Sequence, residues 1–350
     1  MTQPNLPPQI GIALIGAGMI APTHVSAISA ARNHLSLKAI VSRNTEKAAP
    51  LAALYAGAAP LFTADLAKIT ANPDIQMAIV ATPPSVRIEL ITALASAGKH
   101  ILLEKPVART TAEAEEVVRI CEDAGVSLGI LFQHRARAPS IAAARLVASG
   151  TLGALGHVEI AAPLWRDQSY YDELGRGTYA RDGGGVLITQ AIHTIDLALS
   201  LTGPVTSVQA MTATTPLHRM EAEDLAVAGL RFACGAVGSL VASTATFPHG
   251  KESITLHYEN ASLRVGTDVM EVTWRDGRSA REPAAGGTPG ETGPVVAKFE
   301  WHQAIIEDFA QALRGGGAPM VTGRQALASH RLITAIETSS RSGCVVSLVS

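Results

Sequence analysis

The apolar positions of this chain follow one pattern up to about residue 130 and another beyond Gly150. In the first part, short apolar runs at 12–15, 37–41, 75–81, 100–103 and 127–132 alternate with helical segments, one of which carries Glu113, Glu115, Glu116 and Arg119 and ends at Gly125. Continuous apolar runs suit strands buried on both faces, and their alternation with helices predicts a parallel, doubly wound sheet.

In the second part, 157–164, 205–214, 225–232, 236–246, 253–258, 261–265 and 269–275 read as strands joined mostly by short turns. Hairpin-sized links favour a mainly antiparallel sheet, which needs a covering layer on at least one face. Helical patterns at 186–201 and 300–313 can supply that layer. The expected fold class is therefore α/β: a Rossmann-type domain over residues 1–131, then an α/β domain with an open, mainly antiparallel sheet over 132–350. REPAAGGTPGETGPV, from Arg281, predicts an irregular surface loop, with a lid or an oligomer contact as alternatives.

Composition narrows the function classes. A chain of 350 residues can bury a large core divided between two domains. Its formal net charge of −2 offers no basic surface for nucleic acid. Cys121, Cys234 and Cys344 form no CxxC pair, so neither a disulfide framework nor a zinc site is suggested. MTQPNLPPQ lacks the basic region of a secretion signal, and no apolar run has the length of a bilayer span. The expectation is a cytoplasmic protein with neither membrane nor nucleic acid as partner.

Chemistry enters with the first apolar run. Ile12, Ala13, Leu14 and Ile15 lead into Gly16, Gly18 and Ala21 at GxGxxA spacing. Gly16 permits a tight turn, Gly18 lets a pyrophosphate approach the backbone, Ala21 lets the helix pack on the strand, and the helix N-terminus faces the anion. The turn Gly16, Gly18, Met19 and Ile20 is thus a candidate dinucleotide site. At the end of the second strand stand Ser42, Arg43 and Asn44 where an NAD-specific site has a carboxylate. Arg43 suits the 2′-phosphate of NADP. NADP is the favoured cofactor, with NAD the alternative and a solvated turn arginine the competing reading.

GAGMIA, ATPPS, AGKHILLEKPVA and GGGVLITQAIHTID resemble the successive motifs of the glucose-fructose oxidoreductase, inositol dehydrogenase and rhizopine-catabolism (Gfo/Idh/MocA) family, over nearly the whole chain. The resemblance implies NAD(P)-dependent redox chemistry on sugars, polyols or related hydroxy compounds. It implies that Lys105, in EKP, is catalytic, that Glu104 contacts the cofactor near the nicotinamide ribose, and that His193 is the catalytic histidine.

The chemistry supports those roles. Moving hydride from a secondary alcohol to nicotinamide requires loss of the hydroxyl proton, so a base and a cation are needed near one oxygen. Lys105 follows a strand at the carboxyl end of the sheet, where open α/β folds place ligands, and Pro106 fixes the backbone beside it. For Glu104 a plain salt bridge is a fair competitor. His193 titrates near neutrality and lies in an apolar helical pattern after Gly183, Gly184 and Gly185.

Many family members carry an aspartate four residues before that histidine; this chain has Thr189, which cannot supply a negative charge. On an α-helix Thr189, His193 and Asp196 share a face, so Asp196 can accept from the ring or simply anchor the helix. Gln190 is a candidate substrate contact. Thr82 and Pro83, in the ATPPS turn, are candidate cofactor contacts. Pro84 and Arg87 stand where the family usually has a polar residue and a histidine, and Arg87 is given no catalytic role.

Substrate contacts are expected from QHRARAP (133–139) and WRDQSYYDELGRGTYARD (165–182), chiefly Arg135, Arg166, Tyr171 and Tyr179, whose guanidinium groups and ring faces suit a polyhydroxylated or carboxylated ligand. Three other functional readings remain: a reductase of dihydrodiols or other carbonyls, an NAD-dependent glycosidase-like eliminase, and a non-catalytic dinucleotide-sensing regulator. Open antiparallel sheets commonly pair through exposed faces, so a homodimer or homotetramer is expected.

Overall fold

Ile10, Ile12, Leu14 and Ile15 are almost completely shielded from solvent, and the strand they build, β1 (Ile10–Ile15), sits inside a six-stranded sheet. The computed structural model describes residues 8–283 and 299–348, divided between two compact units. In the first unit β1 pairs with β2 (Leu35–Val41) on one side, and β3 (Leu61–Thr63) lies beyond β2. On the other side follow β4 (Met77–Val80), β5 (His100–Glu104) and β6 (Leu128–Leu131). All pairings are parallel, in the order β3-β2-β1-β4-β5-β6. The strand order reverses beside β1, and open α/β sheets bind ligands outside the carboxyl ends of the strands at that point. β4 and β6 are buried throughout, as their unbroken apolar runs predict.

The second unit holds a nine-stranded sheet. β7 (Leu155–Pro163), β8 (Val205–Ala213), β9 (Leu225–Phe232), β10 (Val237–Ser243), β11 (Ser253–Tyr258), β12 (Ala261–Gly266), β13 (Val269–Trp274), β14 (Ser279–Pro283) and β15 (Val346–Ser347) run in the order β14-β13-β12-β11-β7-β10-β9-β8-β15. The β7–β10 pairing is parallel and the rest are antiparallel. Helices Ala138–Ala148 and Ile192–Thr202 pack on this sheet. Val158, Ile160, Ala228, Leu240, Ile254 and Leu256 are buried, whereas the intervening positions of the same strands lie partly or fully in solvent.

Two expectations are corrected. The helix at 300–313 was expected to cover the antiparallel sheet, but helix Glu300–Gly315 belongs to the first unit, where it packs on helix Ala21–Ala30 and on β6. The second domain is therefore not one continuous stretch from 132. The first unit runs to Gln133 and regains the chain up to Ala326, while the second keeps residues from Leu327 onward. An apolar stripe such as Ile305, Ile306, Phe309 and Ala310 says that a helix is buried, not against which sheet. The destination is marked by Gly129: a Cβ there would lie 2.6 Å from the Phe309 ring, so the missing side chain is the seat of that ring. The second correction concerns the Gly/Pro-rich loop, whose first residues, Arg281 to Pro283, are paired in β14; its remainder lies outside the described residues.

Gly129→Ala is expected to destabilise the protein by about 1–3 kcal/mol through overpacking against Phe309. Adding Phe309→Leu recovers part of that loss, as read by urea unfolding of the single and double variants.

Candidate active site

At the carboxyl end of β1, Gly16 has φ +108°, and a Cβ on it would lie 2.9 Å from the carbonyl of Ala81 at the end of β4. Only glycine fits a turn drawn so tightly across the switch point. Gly18 faces open space, Met19 is half exposed, and Ile20 precedes helix Ala21–Ala30. Thr82 Oγ1 is buried without a hydrogen-bond partner. A bare backbone turn at a helix start and an orphaned hydroxyl on the neighbouring strand fit a dinucleotide: the turn suits the pyrophosphate, and the Thr82 hydroxyl a polar group of the cofactor. At the end of β2, Ser42 Oγ donates to the Asn44 carbonyl and Asn44 caps the next turn by accepting from Lys47 N, leaving Arg43 exposed.

Lys105 stands at the end of β5, half-buried, with a cis peptide bond to Pro106. Two buried charges hold the backbone on either side of it. The Arg87 guanidinium donates to the carbonyls of Thr82 (3.0 and 2.7 Å), Glu104 (2.5 Å), Pro106 and Val107 (3.4 Å). Burial lowers its pKa to about 10, which still leaves it charged. Arg87 thus binds the ends of β4 and β5 together around the lysine, a part that its lack of a catalytic role had left unstated.

Glu104 accepts from His24 Nε2 at 2.9 Å, and His302 Nε2 lies 3.8 Å from the same oxygen. Of the two readings of Glu104, its side chain makes the buried polar contact, to histidines rather than to a lysine or arginine. Burial alone would raise its pKa, but the His24 hydrogen bond and the charges of His24, His302 and Lys105 outweigh it and hold the carboxyl at about 2. His302 is pushed down to about 4, by burial and then by His24.

In the second unit, the glycine run leads into a wide π turn, Leu187–Ala191, before the α-helix Ile192–Thr202. Glu223 holds the entry by accepting from the backbone N–H groups of Gly185 (3.1 Å) and Leu187 (3.0 Å). Because the turn is π and not α, the spacing that put Thr189 and His193 on one helix face does not apply. Thr189 Oγ1 donates to the Gly185 carbonyl at 2.5 Å and also contacts Gln190. Gln190 Nε2 reaches the Tyr170 hydroxyl at 3.3 Å.

His193 is buried at the start of the α-helix, with its ring stacked on His134 at a centroid distance of 4.6 Å. Asp196 does not accept from that ring. It forms a two-pronged pair with Arg135, at 2.7 Å on each oxygen. Burial raises the Asp196 pKa, against the hydrogen bond from Arg135. Arg135, expected to touch substrate, is thereby committed to anchoring the helix.

Tyr171 is corrected in the same way. It is buried, bonded through its hydroxyl to Thr244 Oγ1 at 2.6 Å and packed edge-on against His218. His218 is itself fixed by Asp224 at 2.7 Å. Its neighbour Tyr170 instead meets Gln190, beneath the guanidinium groups of Arg166 and Arg176. Tyr179 is 43% exposed. The sequence reading includes His134 only as a member of QHRARAP and does not single out Glu223, Glu252, His24 or His302. Glu252, on the approach to β11, accepts from Thr194 Oγ1 at 2.5 Å and lies within 4.0 Å of His134 and Arg137. These pairings are distant in sequence, and only the helical position of His24 could have drawn attention beforehand.

A switch-point turn built on glycine, followed by a lysine clamped at the end of the next strand but one, defines a dinucleotide-dependent oxidoreductase. The sequence matches the oxidoreductase family with NAD-binding Rossmann fold (GFO_IDH_MocA) over residues 10–132 and the GFO/IDH/MocA C-terminal domain over 141–264. The chain belongs to the Gfo/Idh/MocA family and is an NAD(P)-dependent oxidoreductase. It is 28% identical to levoglucosan dehydrogenase of Pseudarthrobacter phenanthrenivorans, covering 88% of this chain and 90% of that one. It is 24% identical to the Bacillus subtilis scyllo-inositol 2-dehydrogenase (NADP(+)) IolW, covering 79% and 80%. Among solved structures, the WlbA dehydrogenase of Bordetella pertussis in complex with NADH and UDP-GlcNAcA is similar with a TM-score of 0.81 at 31% identity, over 98% of this chain and 99% of that one. No helix among the described residues is long and apolar enough to cross a membrane.

Two outcomes follow from the buried charges. Unfolding frees His302 to take up a proton between its ordinary 6.5 and about 4, so its contribution is complete above pH 6.5 and is lost as pH falls toward 4. Glu104 adds a second loss, from its ordinary 4.5 down to about 2. Thermal melts from pH 8 to 3.5 should show His302→Gln flattening the upper part of the decline, a difference of up to about 3 kcal/mol, and leaving the lower part. Arg87→Met strips donors from several buried carbonyls and is expected to cost roughly 3–5 kcal/mol in urea unfolding. Arg87→Lys restores only part, because an ammonium cannot fork.

Proposed function

We propose that this oxidoreductase acts on a secondary hydroxyl, or the corresponding carbonyl, of a sugar, polyol or sugar acid, with NADP preferred over NAD. The observation that carries the reading is His193: at the start of a helix buried mostly through apolar side chains stands an imidazole stacked on a second imidazole, while the buried Asp196 and Thr194 of the same helix are taken by Arg135 and Glu252. Imidazole accepts and returns a proton near neutral pH, which an alcohol oxidation requires.

In this reading Lys105 donates a hydrogen bond to the substrate oxygen and stabilises the negative charge that grows as the hydroxyl loses its proton, and His193 accepts that proton. The bound nicotinamide supplies the hydride acceptor. Arg87 and the Glu104 cluster fix the backbone carrying Lys105, and Glu223 fixes the entry to the helix carrying His193. Gln190, Tyr170, Arg166 and Tyr179 are the proposed substrate contacts, supported by their grouping around one ring and by the exposure of Tyr179. The relatives' names fit this substrate class: levoglucosan, scyllo-inositol and a nucleotide sugar acid. The cofactor preference is supported by the exposed Arg43 and by the absence of a carboxylate at Ser42, Arg43 and Asn44. Exposed Met211, Val227, Val237 and Val241, on β8, β9 and β10, support a homo-oligomer formed through the large sheet.

A panel of sugars, polyols and sugar acids, followed at the reduced-nicotinamide absorbance band with each cofactor, tests the reading. Lys105→Ala and His193→Ala are each expected to lower kcat/KM on the best substrate by about 10²–10⁴-fold. Binding of NADPH, read by its fluorescence, should stay within a few-fold for His193→Ala. Turnover unchanged in both variants overturns the mechanism, and turnover only on glycosides or dihydrodiols overturns the substrate class.

A further inference from the structure

The exposed face of the large sheet carries a cluster that the redox chemistry does not use. His157 and Glu159 are two residues apart on β7, so strand alternation puts both side chains on one face. His257, on β11, is the register partner of His157 in an antiparallel pair, which brings the Cβ atoms of opposed residues to about 4.5–5.5 Å. One nitrogen or oxygen from each of the three side chains therefore falls within 4.8 Å of the others. The two imidazoles lie nearly parallel, 9° apart in plane, with centroids separated by 5.3 Å.

The orientation of His257 is set from a third strand. Its Nδ1 is 2.8 Å from Ser262 Oγ, on β12, while its Nε2 turns toward Glu159 Oε1 at 3.9 Å. A hydroxyl can donate to Nδ1 or accept from it; when it accepts, the lone pair lies on Nε2, the nitrogen turned toward Glu159, and such an outer hydrogen bond commonly holds a metal-ligating imidazole in place. A mere ion pair between exposed groups at that distance contributes little and explains neither the second imidazole nor the serine.

We propose that His157, Glu159 and His257 form a binding site for a divalent transition metal of the Zn²⁺ class, with Ser262 as the residue that orients His257. Two imidazoles and one carboxylate are an established donor set for four-coordinate zinc with one position open. Zn²⁺ bonds of about 2.0–2.2 Å bring ligand atoms to roughly 3.4 Å from one another, so the side chains close by about 1 Å on binding. These side chains lie outside the core and can make that movement without disturbing it; His157 pairs in register with Val237, so the site adjoins the apolar face proposed above as the oligomer contact. The cysteines had suggested no zinc site; this one is built from histidines and lies across β7 and β11.

The test is titration of chelator-treated full-length protein with Zn²⁺ by calorimetry, with Co²⁺ as a spectroscopic probe. One equivalent per chain should bind in the micromolar range, and Co²⁺ should give the visible absorption of a four-coordinate site. His157→Ala and Glu159→Gln should each weaken binding at least tenfold and abolish the Co²⁺ bands, and Ser262→Ala should weaken it by a smaller factor. Thermal melts of the metal-free variants, expected to match the parent, show that the loss is local. Absence of binding below millimolar Zn²⁺, or binding that survives the double variant His157→Ala/His257→Ala, overturns the proposal.

Discussion

The backbone around Lys105 is held by charge that is kept out of water. Glu104, immediately before the lysine, is ionised within a cluster of two histidines, and the Arg87 guanidinium on the other side spends its donors on main-chain carbonyls from Thr82 to Val107. Buried charges survive only when their partners are well placed, and removing one member leaves the other stranded. The turn therefore has little freedom to relax, as suits a residue whose ammonium must meet a reacting oxygen within a few tenths of an ångström.

The second unit solves a similar problem by other means. There the helix carrying His193 is entered through a π turn capped by Glu223, and its flank is pinned by the Arg135–Asp196 pair and by Glu252 on Thr194. Each unit sets one side chain of the proposed mechanism on regular structure and braces it with buried polar contacts. Among the residues that do so, Glu104 and Asp196 have a salt bridge and a helix anchor among their sequence readings, Arg135 reads as a substrate contact, Arg87 has no catalytic role, and Glu223, Glu252, His24 and His302 are not singled out.

Much of the architecture was legible in the sequence because it follows from periodicity. The long strands of both sheets, the parallel and mainly antiparallel character of each, and the glycine turn after β1 all follow from local patterns of apolar residues and glycine. What escaped was of two kinds. β3 and β15 are too short to show alternation, and helix Ala138–Ala148 is so rich in alanine that no polar face marks it. Helix Gly323–Ser342 was also passed over. The other kind is tertiary. The side-chain hydrogen-bond and ion-pair partners of Glu104, Asp196 and Tyr171 come from residues 61 to 198 positions away, and nothing in the chain near Glu104 announces His302. Thr189 and His193 were misplaced relative to each other for a local reason, an α period assumed where the helix widens.

The return of helix Glu300–Gly315 to the first unit bears on how the protein is made. A ribosome delivers the whole six-stranded sheet before it delivers the helix that seats Phe309 over Gly129 and His302 beside Glu104. Until about 180 further residues have been synthesised, the nascent sheet lacks the ring seated over Gly129 and the second histidine beside Glu104. The nucleotide-binding half of this enzyme thus reaches its final form only near the end of translation, and cutting the gene after the last parallel strand yields a fragment with its lining exposed.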